Sequence, residues 1–338
     1  MAVRVGINGF GRIGRNYLRC VLERAGQQGT PVEVVAVNDI APAGTLAHLL
    51  EYDSTYGRFG QEVGAEEGEL VVAGRRIKVC SERDPADLDW AGAGAEVVIE
   101  STGRFRAREA AALHLKGGAR KVLLSAPGKD ADATVVMGVN EADYDQGRHH
   151  VVSCASCTTN CVVPMVKVLH ESFGVRKGLM TTIHGYTNDQ ALLDGPHKDL
   201  RRARSAAVSI IPTSTGAARA VGLVLPELDG ALDGLAVRVP VEDGSLTDLT
   251  VVLGREVTAE EINEAFGRAA DGPLGKVLRV CRAPIVSRDV IGDPASCVVD
   301  AGLTQAHGDL AKVFGWYDNE WGYSNRLLDL TEYVGARL

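Results

Sequence analysis

The feature that most constrains the fold is a glycine-rich turn near the start of the chain. Gly9-Phe10-Gly11-Arg12-Ile13-Gly14 follows Val3 to Ile7, which predicts a β-strand, and overlaps Arg12 to Ala25, which predicts a helix. In this context the first glycine permits a tight turn, the second lets a pyrophosphate approach the backbone, and the third lets the helix pack on the strand. The positive helix N-terminus favours the phosphate charge. A turn that only packs a helix on a strand remains the alternative.

The next strand indicates which dinucleotide would bind. Val32 to Val37 predicts a second strand, and Asn38-Asp39 follows it, about where an acidic residue meets the adenosine ribose hydroxyls. A carboxylate at Asp39 accepts hydrogen bonds from a free 2′-hydroxyl and repels a 2′-phosphate. The sequence therefore predicts NAD rather than NADP as cofactor, although nearby arginines could still accommodate a phosphate.

The first 150 residues alternate short apolar runs with Ala- and Leu-rich stretches that carry charges. Glu96 to Glu100 and Lys121 to Leu124 are apolar on both faces, as parallel strands between helix layers are. This alternation predicts an α/β fold with a Rossmann-type doubly wound parallel sheet.

After about residue 157 the candidate strands become longer and alternate with candidate helices. This pattern predicts an α+β catalytic domain. Thr258-Ala259-Glu260-Glu261 has the pattern of a capping box at a helix start. We therefore expect an NAD-binding domain over residues 1–156, completed by a C-terminal helix within 320–338, and a catalytic domain over 157–319. The predicted strands here are Met180 to Ile183, Ala236 to Val239, Leu246 to Leu253 and Ala311 to Trp316, and the predicted helices are Thr215 to Leu225, Ala259 to Ala270 and Arg326 to Val334.

Composition argues against several classes of protein. The net charge of -8 argues against nucleic acid as the main partner, because a polyanion favours a basic surface. Apolar runs such as Val162 to Val168 are much shorter than the roughly 20 residues that span a bilayer. The first residues lack the basic, apolar and small-residue regions of a signal peptide. We expect a cytoplasmic protein that does not act at a membrane.

The seven cysteines of the 338-residue chain do not suggest a disulfide framework, but Cys154, Cys157 and Cys161 fall within eight residues. They could be structural, could bind zinc or an iron–sulfur cluster, or could include a catalytic thiol. A metal site needs a fourth ligand, and none is close in the sequence. Ser156 is a candidate N-cap, which would place Cys157 at a helix N-terminus, where the macrodipole lowers a thiol pKa. Pro164 complicates that helix, so the residues alone leave the alternatives open.

One of the eight histidines has distinctive surroundings. His184 ends an apolar strand and opens the polar loop Gly185-Tyr186-Thr187-Asn188-Asp189. Binding groups are often found in such loops.

The segment around the central cysteine is the most specific motif in the chain. Ala155-Ser156-Cys157-Thr158-Thr159-Asn160-Cys161 resembles the active-site signature of the glyceraldehyde-3-phosphate dehydrogenase family. Further segments resemble the same family, in its order and over nearly the whole chain. They are Gly6-Ile7-Asn8-Gly9-Phe10-Gly11-Arg12-Ile13-Gly14-Arg15, the loop from His184 to Arg204, Pro212-Thr213-Ser214-Thr215-Gly216-Ala217-Ala218 and Trp316-Tyr317-Asp318-Asn319-Glu320.

The resemblance implies a role for each matching residue. Cys157 matches the nucleophile, His184 its base, and Asn319 the residue that holds the nicotinamide carboxamide. The implied cofactor-binding residues are Gly9, Gly11, Arg12, Ile13, Gly14, Asp39, Arg83, Ser125 and Asn319. Around the substrate phosphate the matches are Thr187 and Arg238, with Asp189 and Arg202 nearby, and for the attacking phosphate they are Ser156, Thr158, Thr215 and Gly216.

The resemblance also implies the reaction and the assembly. D-Glyceraldehyde 3-phosphate would be oxidised through a cysteine thioester, with NAD reduction, and inorganic phosphate would release 1,3-bisphosphoglycerate, a step of glycolysis and gluconeogenesis. No metal is implied. In the family, the loop that carries Lys198, Arg201, Arg202 and Arg204 lies beside the cofactor of a neighbouring subunit, which implies a homotetramer.

Two departures and two rival functions stay open at this point. Cys154 replaces the family's usual asparagine and forms a C-x-x-C pair with Cys157, either as a packing residue or as a reversible disulfide partner. Pro240 to Leu246 also differs from the usual form. Erythrose-4-phosphate dehydrogenase shares the nucleophile, but Thr187 and Thr215-Gly216 favour the glyceraldehyde-3-phosphate enzyme. The rival from another class is an inactive Rossmann-type binding protein.

Overall fold

The computed structural model describes residues 2–338 of the chain. They form two compact units. The first contains the residues up to Val135 together with Ala142–Ala155 and Ser324–Leu338, and the second contains Val136–Glu141 and Ser156–Tyr323. No helix among the described residues is both long and apolar enough to cross a membrane.

The first unit is an α/β structure. Its main sheet has nine strands among the described residues, in the order β10-β11-β9-β8-β1-β2-β7-β6-β5, and all neighbours from β10 to β7 are parallel. The elements are β1 (Val3–Asn8), α1 (Arg12–Gln27), β2 (Val32–Asn38), α2 (Ala43–Glu51), β3 (Tyr52–Asp53), β4 (Gly57–Arg58), β5 (Val63–Glu66), β6 (Glu69–Val72), β7 (Arg75–Cys80), α3 (Trp90–Ala93), β8 (Val97–Glu100), α4 (Arg108–Ala111), α5 (Leu113–Lys116), β9 (Lys121–Leu124), β10 (Ala133–Thr134) and β11 (Val151–Ser153).

The strand order reverses at β1, whose neighbours are β2 on one side and β8 on the other. In an open parallel sheet this reversal opens a crevice at the carboxyl ends of the strands, where ligands bind. The predicted Rossmann-type sheet is confirmed. The antiparallel strands β5 and β6 at its edge were not predicted, because their residues lack a long apolar run.

The second unit is a mixed sheet covered by helices on one face. Its strand order is β13-β14-β12-β15-β19-β17-β16, with β18 paired to β19. The elements are α6 (Cys157–Phe173), β12 (Val175–Gly185), β13 (Ile211–Ser214), α7 (Ala217–Val224), β14 (Leu232–Val239), β15 (Ser245–Leu253), α8 (Ala259–Ala270), β16 (Leu278–Cys281), β17 (Cys297–Asp300), β18 (Gln305–His307), β19 (Leu310–Tyr317) and α9 (Trp321–Gly335), the last extending into the first unit.

Helix α6 is the central element of this unit. It packs on strands β12, β15, β17 and β19 and against helices α7 and α8. Strand β15 alternates buried and half-buried residues along its length, as a strand with one covered face does. Leu179 and Leu235 are exposed on neighbouring strands.

Local sequence signals predicted the bounds of several helices, with differences that the structure explains. The capping box is present, since Thr258 accepts from the Glu261 amide and Glu261 from the Thr258 amide, and α8 spans the predicted residues. Pro164 lies inside α6 without ending it. Helix α9 begins five residues before its predicted start, because Asp318 accepts hydrogen bonds from the first backbone amides of that turn.

Candidate active site

A cleft of about 230 Å³ opens in the first unit at the carboxyl ends of β1, β2 and β8. This is the sheet edge that the glycine motif predicts. The residues that line it are Asn8, Gly9, Gly11, Asn38, Asp39, Ile40, Glu82, Arg83, Ser101, Thr102, Arg104 and Phe105.

The three glycines of the motif are required for different reasons. Gly9 has a φ of +91°, and a Cβ there would lie 2.7 Å from the Thr102 amide nitrogen. A Cβ at Gly14 would lie 2.3 Å from the Gly9 carbonyl oxygen, so only glycine permits the close packing of α1. At Gly11 a Cβ would meet no atom of residues 2–338 within 4 Å. The backbone at Gly11 therefore faces space that a ligand can occupy.

Asp39 is fixed in the cleft by backbone hydrogen bonds. Its Oδ2 accepts from the Phe10 amide at 2.9 Å, and its Oδ1 accepts from the Ala41 amide at 3.0 Å. Arg83 lines the same cleft. Arg12, by contrast, forms an ion pair with Asp53, so a cofactor contact from this residue would come from its main chain.

A buried polar network that sequence reasoning missed lies beneath this cleft. Asn38 donates to Asn8 Oδ1 at 2.7 Å, and Asn8 donates to Glu100 Oε2 at 2.6 Å. His114 Nε2 lies 3.0 Å from the same carboxylate oxygen, and Trp90 donates to His114 Nδ1 at 3.0 Å. Little in the sequence indicated this network, because its residues are far apart in the chain. Their side chains form hydrogen bonds only when β1, β2 and β8 lie side by side in the sheet.

The candidate nucleophile begins helix α6. Ser156 caps the helix, since its Oγ accepts from the Thr159 amide at 3.0 Å, as the sequence predicts. Cys157 is the first residue of the helix, and its Sγ lies 3.5 Å from His184 Nε2. The structure thus brings together two residues 27 positions apart in the sequence.

His184 is oriented by the sheet beneath it. It lies near the end of β12, paired with Arg238 on the parallel strand β14. The carbonyl oxygen of Gly185 lies 2.7 Å from His184 Nδ1 and accepts a hydrogen bond from Arg238 at 3.0 Å. Arg238 Nη1, which can only donate, also lies 2.5 Å from Nδ1, so the tautomer depends on which of the two groups Nδ1 bonds. When Nδ1 donates to the Gly185 carbonyl, the unprotonated Nε2 faces the Cys157 sulphur, which is the arrangement a general base requires.

Burial governs the ionisation of this pair. It raises the pKa of the Cys157 thiol to about 11, while the nearby Arg238 cation acts in the opposite direction. Burial, with the same cation, lowers the pKa of His184 to about 3. The expectation of a lowered thiol pKa at the helix N-terminus is therefore wrong for Cys157, because desolvation outweighs the favourable contacts.

The two units match known proteins over nearly the whole chain. Residues 3–108 match the family model described as glyceraldehyde 3-phosphate dehydrogenase, NAD binding domain, and residues 156–319 match the C-terminal domain of the same family. Glyceraldehyde-3-phosphate dehydrogenase of Streptomyces coelicolor is 60% identical over 340 residues, covering 100% of both chains. That of Geobacillus stearothermophilus is 56% identical over 338 residues, covering 100% of this chain and 99% of the relative. The chain belongs to the glyceraldehyde-3-phosphate dehydrogenase family.

Membership in this family fixes the reaction class. The chain is an NAD-dependent oxidoreductase of the glyceraldehyde-3-phosphate dehydrogenase type, and the family resemblance in the sequence is confirmed.

The residues that the family resemblance assigns to the substrate phosphate form two groups in the structure. Arg238 lies beside His184, and its Nε is buried without a hydrogen-bond partner among the described residues. Arg202 instead forms an ion pair with Asp189 at 2.6 Å, and Asp189 also accepts from the Thr187 hydroxyl. The charge of Arg202 is therefore largely balanced, while Arg238 retains an unused donor.

The residues assigned to the attacking phosphate lie at helix starts. Thr215 Oγ1 accepts from the Ala217 amide at 3.2 Å, and Gly216 is the N-cap of α7. The Thr158 hydroxyl lies 2.8 Å from Tyr317 Oη, so this side chain is already engaged within the protein. Tyr317 was not singled out in the sequence, although it lies two residues before Asn319.

Asn319 is held from two sides. Its backbone amide nitrogen donates to Asp243 Oδ1 at 3.0 Å, and its side-chain oxygen Oδ1 accepts from Ser245 Oγ at 2.6 Å. This leaves the Nδ2 group as the donor for a ligand. Both partners belong to the segment whose departure from the family pattern had no explanation in the sequence.

The remaining assigned residues and the cysteines are placed as follows. Ser125 follows β9, with its amide donating to the Glu100 carbonyl, and is not among the residues that line the cleft. None of the seven cysteines forms a disulfide in the described part of the chain. Cys154 is fully buried, which favours its interpretation as a packing residue over a disulfide partner of Cys157. Within residues 2–338, no group of three His, Cys, Asp or Glu side chains could hold a metal ion.

Proposed function

We propose that Cys157 and His184 carry out the oxidation of D-glyceraldehyde 3-phosphate in this chain, through a thioester on Cys157. The observation that carries this proposal is the 3.5 Å distance between the thiol sulphur and an imidazole nitrogen in a buried site. This distance allows direct proton transfer between the two side chains.

The chemistry follows from that arrangement. Cys157 gives its proton to His184 Nε2 as its sulphur bonds to the aldehyde carbon, and the new oxyanion takes that proton back from His184 to form a thiohemiacetal. His184 then removes the hydroxyl proton as the carbon loses a hydride, which leaves the thioester. NAD supplies the hydride acceptor when bound. A phosphate oxygen attacks the thioester carbonyl, the carbon–sulphur bond breaks, and the acyl phosphate leaves.

Two anions must be held for this reaction, and Arg238 is the best-placed cation for the first. Its buried Nε, which has no hydrogen-bond partner among the described residues, can donate to a phosphate oxygen of the aldehyde. Thr187 belongs to the group around Arg202, where its hydroxyl donates to Asp189. We assign the attacking phosphate to Thr215 and Gly216, where the start of α7 offers backbone amides. Ser156 and Thr158 would contribute by shaping the start of α6.

The first unit fits a dinucleotide. The open space at Gly11 admits a pyrophosphate close to the backbone, and the start of α1 has no side-chain cap among the described residues. Asp39 can accept the ribose hydroxyls, because each of its oxygens has a further lone pair after its backbone hydrogen bond. We infer that residues 1–156 with 320–338 bind NAD, that residues 157–319 carry the chemistry, and that Asn319 holds the nicotinamide carboxamide.

We further propose a homotetramer in the cytoplasm. The loop after His184 exposes several large apolar side chains, among them Leu192, Leu193, Leu200 and Val208, at a cost that association would remove. Seven cysteines that form no disulfide among the described residues suit a reducing compartment.

A steady-state assay tests the proposed reaction. The purified protein is given glyceraldehyde 3-phosphate or erythrose 4-phosphate, with NAD or NADP, and with or without inorganic phosphate. We expect rapid NADH formation from the first aldehyde, strong dependence on phosphate, and a much lower kcat/KM with NADP. A higher kcat/KM for erythrose 4-phosphate would favour the rival enzyme, and the absence of NADH formation with either aldehyde would refute the mechanism.

A further inference from the structure

A chain of hydrogen bonds runs along the dinucleotide cleft, from Glu82 after β7 to Thr102 after β8. Both residues line the cleft. The links between them are Asn38, Asn8 and Glu100, the last residues of the adjacent strands β2, β1 and β8. These three residues are at most 5% exposed. Their donors and acceptors must therefore be matched within the protein.

The backbone of Glu82 fixes the direction of the chain at its first end. Its amide donates to Asn38 Oδ1 at 2.8 Å, and its carbonyl oxygen accepts from Asn38 Nδ2 at 2.9 Å. Because a backbone amide only donates and a carbonyl only accepts, the Asn38 side chain can lie only one way round. Its NH₂ group also donates to Asn8 Oδ1 at 2.7 Å. The NH₂ group of Asn8 therefore faces Glu100 Oε2, at 2.6 Å.

Trp90 fixes the direction of the contact from His114, which is fully buried beside the chain. The indole nitrogen lies 3.0 Å from His114 Nδ1 and can only donate. His114 Nδ1 must therefore accept, so the ring is neutral and carries its proton on Nε2. Nε2 donates to Glu100 Oε2 at 3.0 Å. It lies 3.4 Å from Asn8 Nδ2, because both donors reach the same oxygen.

Four neutral donors thus surround the carboxyl group of Glu100. Oε2 accepts from Asn8 and His114, and Oε1 accepts from the backbone amide of Thr102 at 2.8 Å and from its hydroxyl. An ionised carboxylate can accept all four hydrogen bonds, and complete hydrogen bonding is what a buried charge requires.

Glu100 joins two parts of the cleft wall through these contacts. It binds Thr102 twice, and the Thr102 amide nitrogen packs against the glycine turn, 2.7 Å from where a Cβ at Gly9 would lie. It also binds Asn8, which directly precedes that turn. The carboxylate therefore connects the end of β8 to the turn after β1, at the point where the strand order reverses.

We propose that Glu100 is a positioning residue for the dinucleotide, a buried carboxylate that holds Thr102 and Asn8 at the spacing the cofactor needs. The use of this cleft rests on the proposed function. Glu100 is not among the residues that line the cleft, so it acts through these two neighbours. It changes the affinity for the cofactor rather than the chemistry at Cys157.

Glu100→Gln tests the carboxylate with a side chain of nearly the same size. Whichever way the new amide turns, its NH₂ group faces donors, either Asn8 and His114 or the Thr102 amide. We expect the Kd for NAD in calorimetric titration to rise by on the order of tenfold or more. The kcat at saturating NAD should stay within about twofold of the native value. An unchanged Kd, or a kcat that falls as far as the affinity does, would overturn the positioning role.

Trp90→Phe and His114→Phe separate positioning from stability. Both remove the buried hydrogen bond between Trp90 and His114, so both should lower the Tm. Only His114→Phe also takes a donor from Glu100, and it should raise the Kd for NAD by about fivefold or more. Trp90→Phe should leave the Kd within about twofold of the native value. Equal NAD affinities in the two variants would show that the network only stabilises the fold, and this comparison holds even where Glu100→Gln does not fold.

Neutron diffraction from crystals of the unmodified protein in D₂O tests the protons themselves. We expect deuterium on His114 Nε2 and none on His114 Nδ1 or Glu100. Deuterium on Nδ1 or on either carboxyl oxygen would overturn the buried carboxylate. The neutron and calorimetric results need no activity, so they stand apart from a failure of the proposed reaction. Gly11→Ala, which leaves Glu100 untouched, reports separately on the assignment of the cleft to NAD.

Discussion

At the scale of single residues, the ionisation of Cys157 and that of His184 are coupled. Burial opposes a lone thiolate and a lone imidazolium, since it raises one pKa to about 11 and lowers the other to about 3. When the proton moves from one to the other, the two opposite charges attract by about 5 kcal/mol at 3.5 Å with an effective dielectric constant of about 20. The pair is therefore the catalytic unit, and each member can be tested through the other.

Cys157→Ser should abolish NADH formation, because a hydroxyl is far less readily ionised than a thiol. Binding of NAD should be nearly unchanged, since Cys157 is not among the residues that line the dinucleotide cleft. Activity is measured by NADH absorbance, and binding by calorimetric titration. Substantial remaining activity would contradict the thioester mechanism.

His184→Asn should lower kcat by on the order of 10²–10⁴, the usual contribution of a general base. The same change should slow alkylation of Cys157 by iodoacetamide at pH 7, because the thiol loses its proton acceptor. Its reactivity should then rise with pH towards the thiol pKa of about 11. Equal alkylation rates at pH 7 in the two proteins would show that His184 does not activate Cys157.

Residue chemistry explains which of these positions could be found from the sequence. Cys157 and His184 become candidates through local features, a capping serine before the cysteine and a polar loop after the histidine's strand, and the family resemblance supplies their roles. Arg238 has no such local sign, as its importance comes from pairing with His184 across two strands. Asp243 could not be interpreted either, because its hydrogen bond to the Asn319 backbone amide joins residues 76 positions apart in the chain.

At the scale of elements, the turn between β1 and α1 allows a matched pair of substitutions. Gly11→Ala places a methyl group in open space, so folding should be unaffected while NAD binding weakens by on the order of tenfold, about 1.4 kcal/mol. Gly14→Ala forces a methyl group against the Gly9 carbonyl and should destabilise the fold by roughly 1–3 kcal/mol.

Thermal unfolding and calorimetric NAD titration distinguish the two effects of these glycine substitutions. The assignment of Gly11 to the cofactor would be refuted by unchanged NAD affinity in Gly11→Ala. A melting temperature of Gly14→Ala equal to that of the native protein would refute the packing role of Gly14.

Elements with strong local signals were predicted well from the sequence, and the others were not. The start of helix α8 was predicted correctly from its capping box, and β9 from the apolar run Val122 to Leu124 that follows Lys121. Helix α7 starts two residues after its predicted start, because Gly216 serves as the N-cap. The strands from Val63 to Cys80 form an antiparallel edge with exposed charges, so no apolar period reveals them. Long-range pairing, rather than local propensity, decides such strands.

At the scale of the whole molecule, exposed apolar side chains point to association. Leu200 is 81% exposed and Val208 is 79% exposed, in a loop that also exposes Leu192 and Leu193. Exposing these side chains to water is unfavourable, whereas burying them in an interface would stabilise an assembly by about 25 cal/mol for each Å² of apolar surface removed from water.

The tetramer proposal predicts a mass in light scattering of four times the 35.8 kDa of one chain. The double substitution Leu200→Glu and Val208→Glu should lower that mass, because an interface that buries charge without partners is destabilised. Leu310→Glu, on the separate strand β19 and 42% exposed, is the matched control and should leave the mass unchanged. A native protein with the mass of one chain would refute the tetramer. If the double variant kept the native mass, this loop would lie outside the interface, and the exposed leucines would need another explanation.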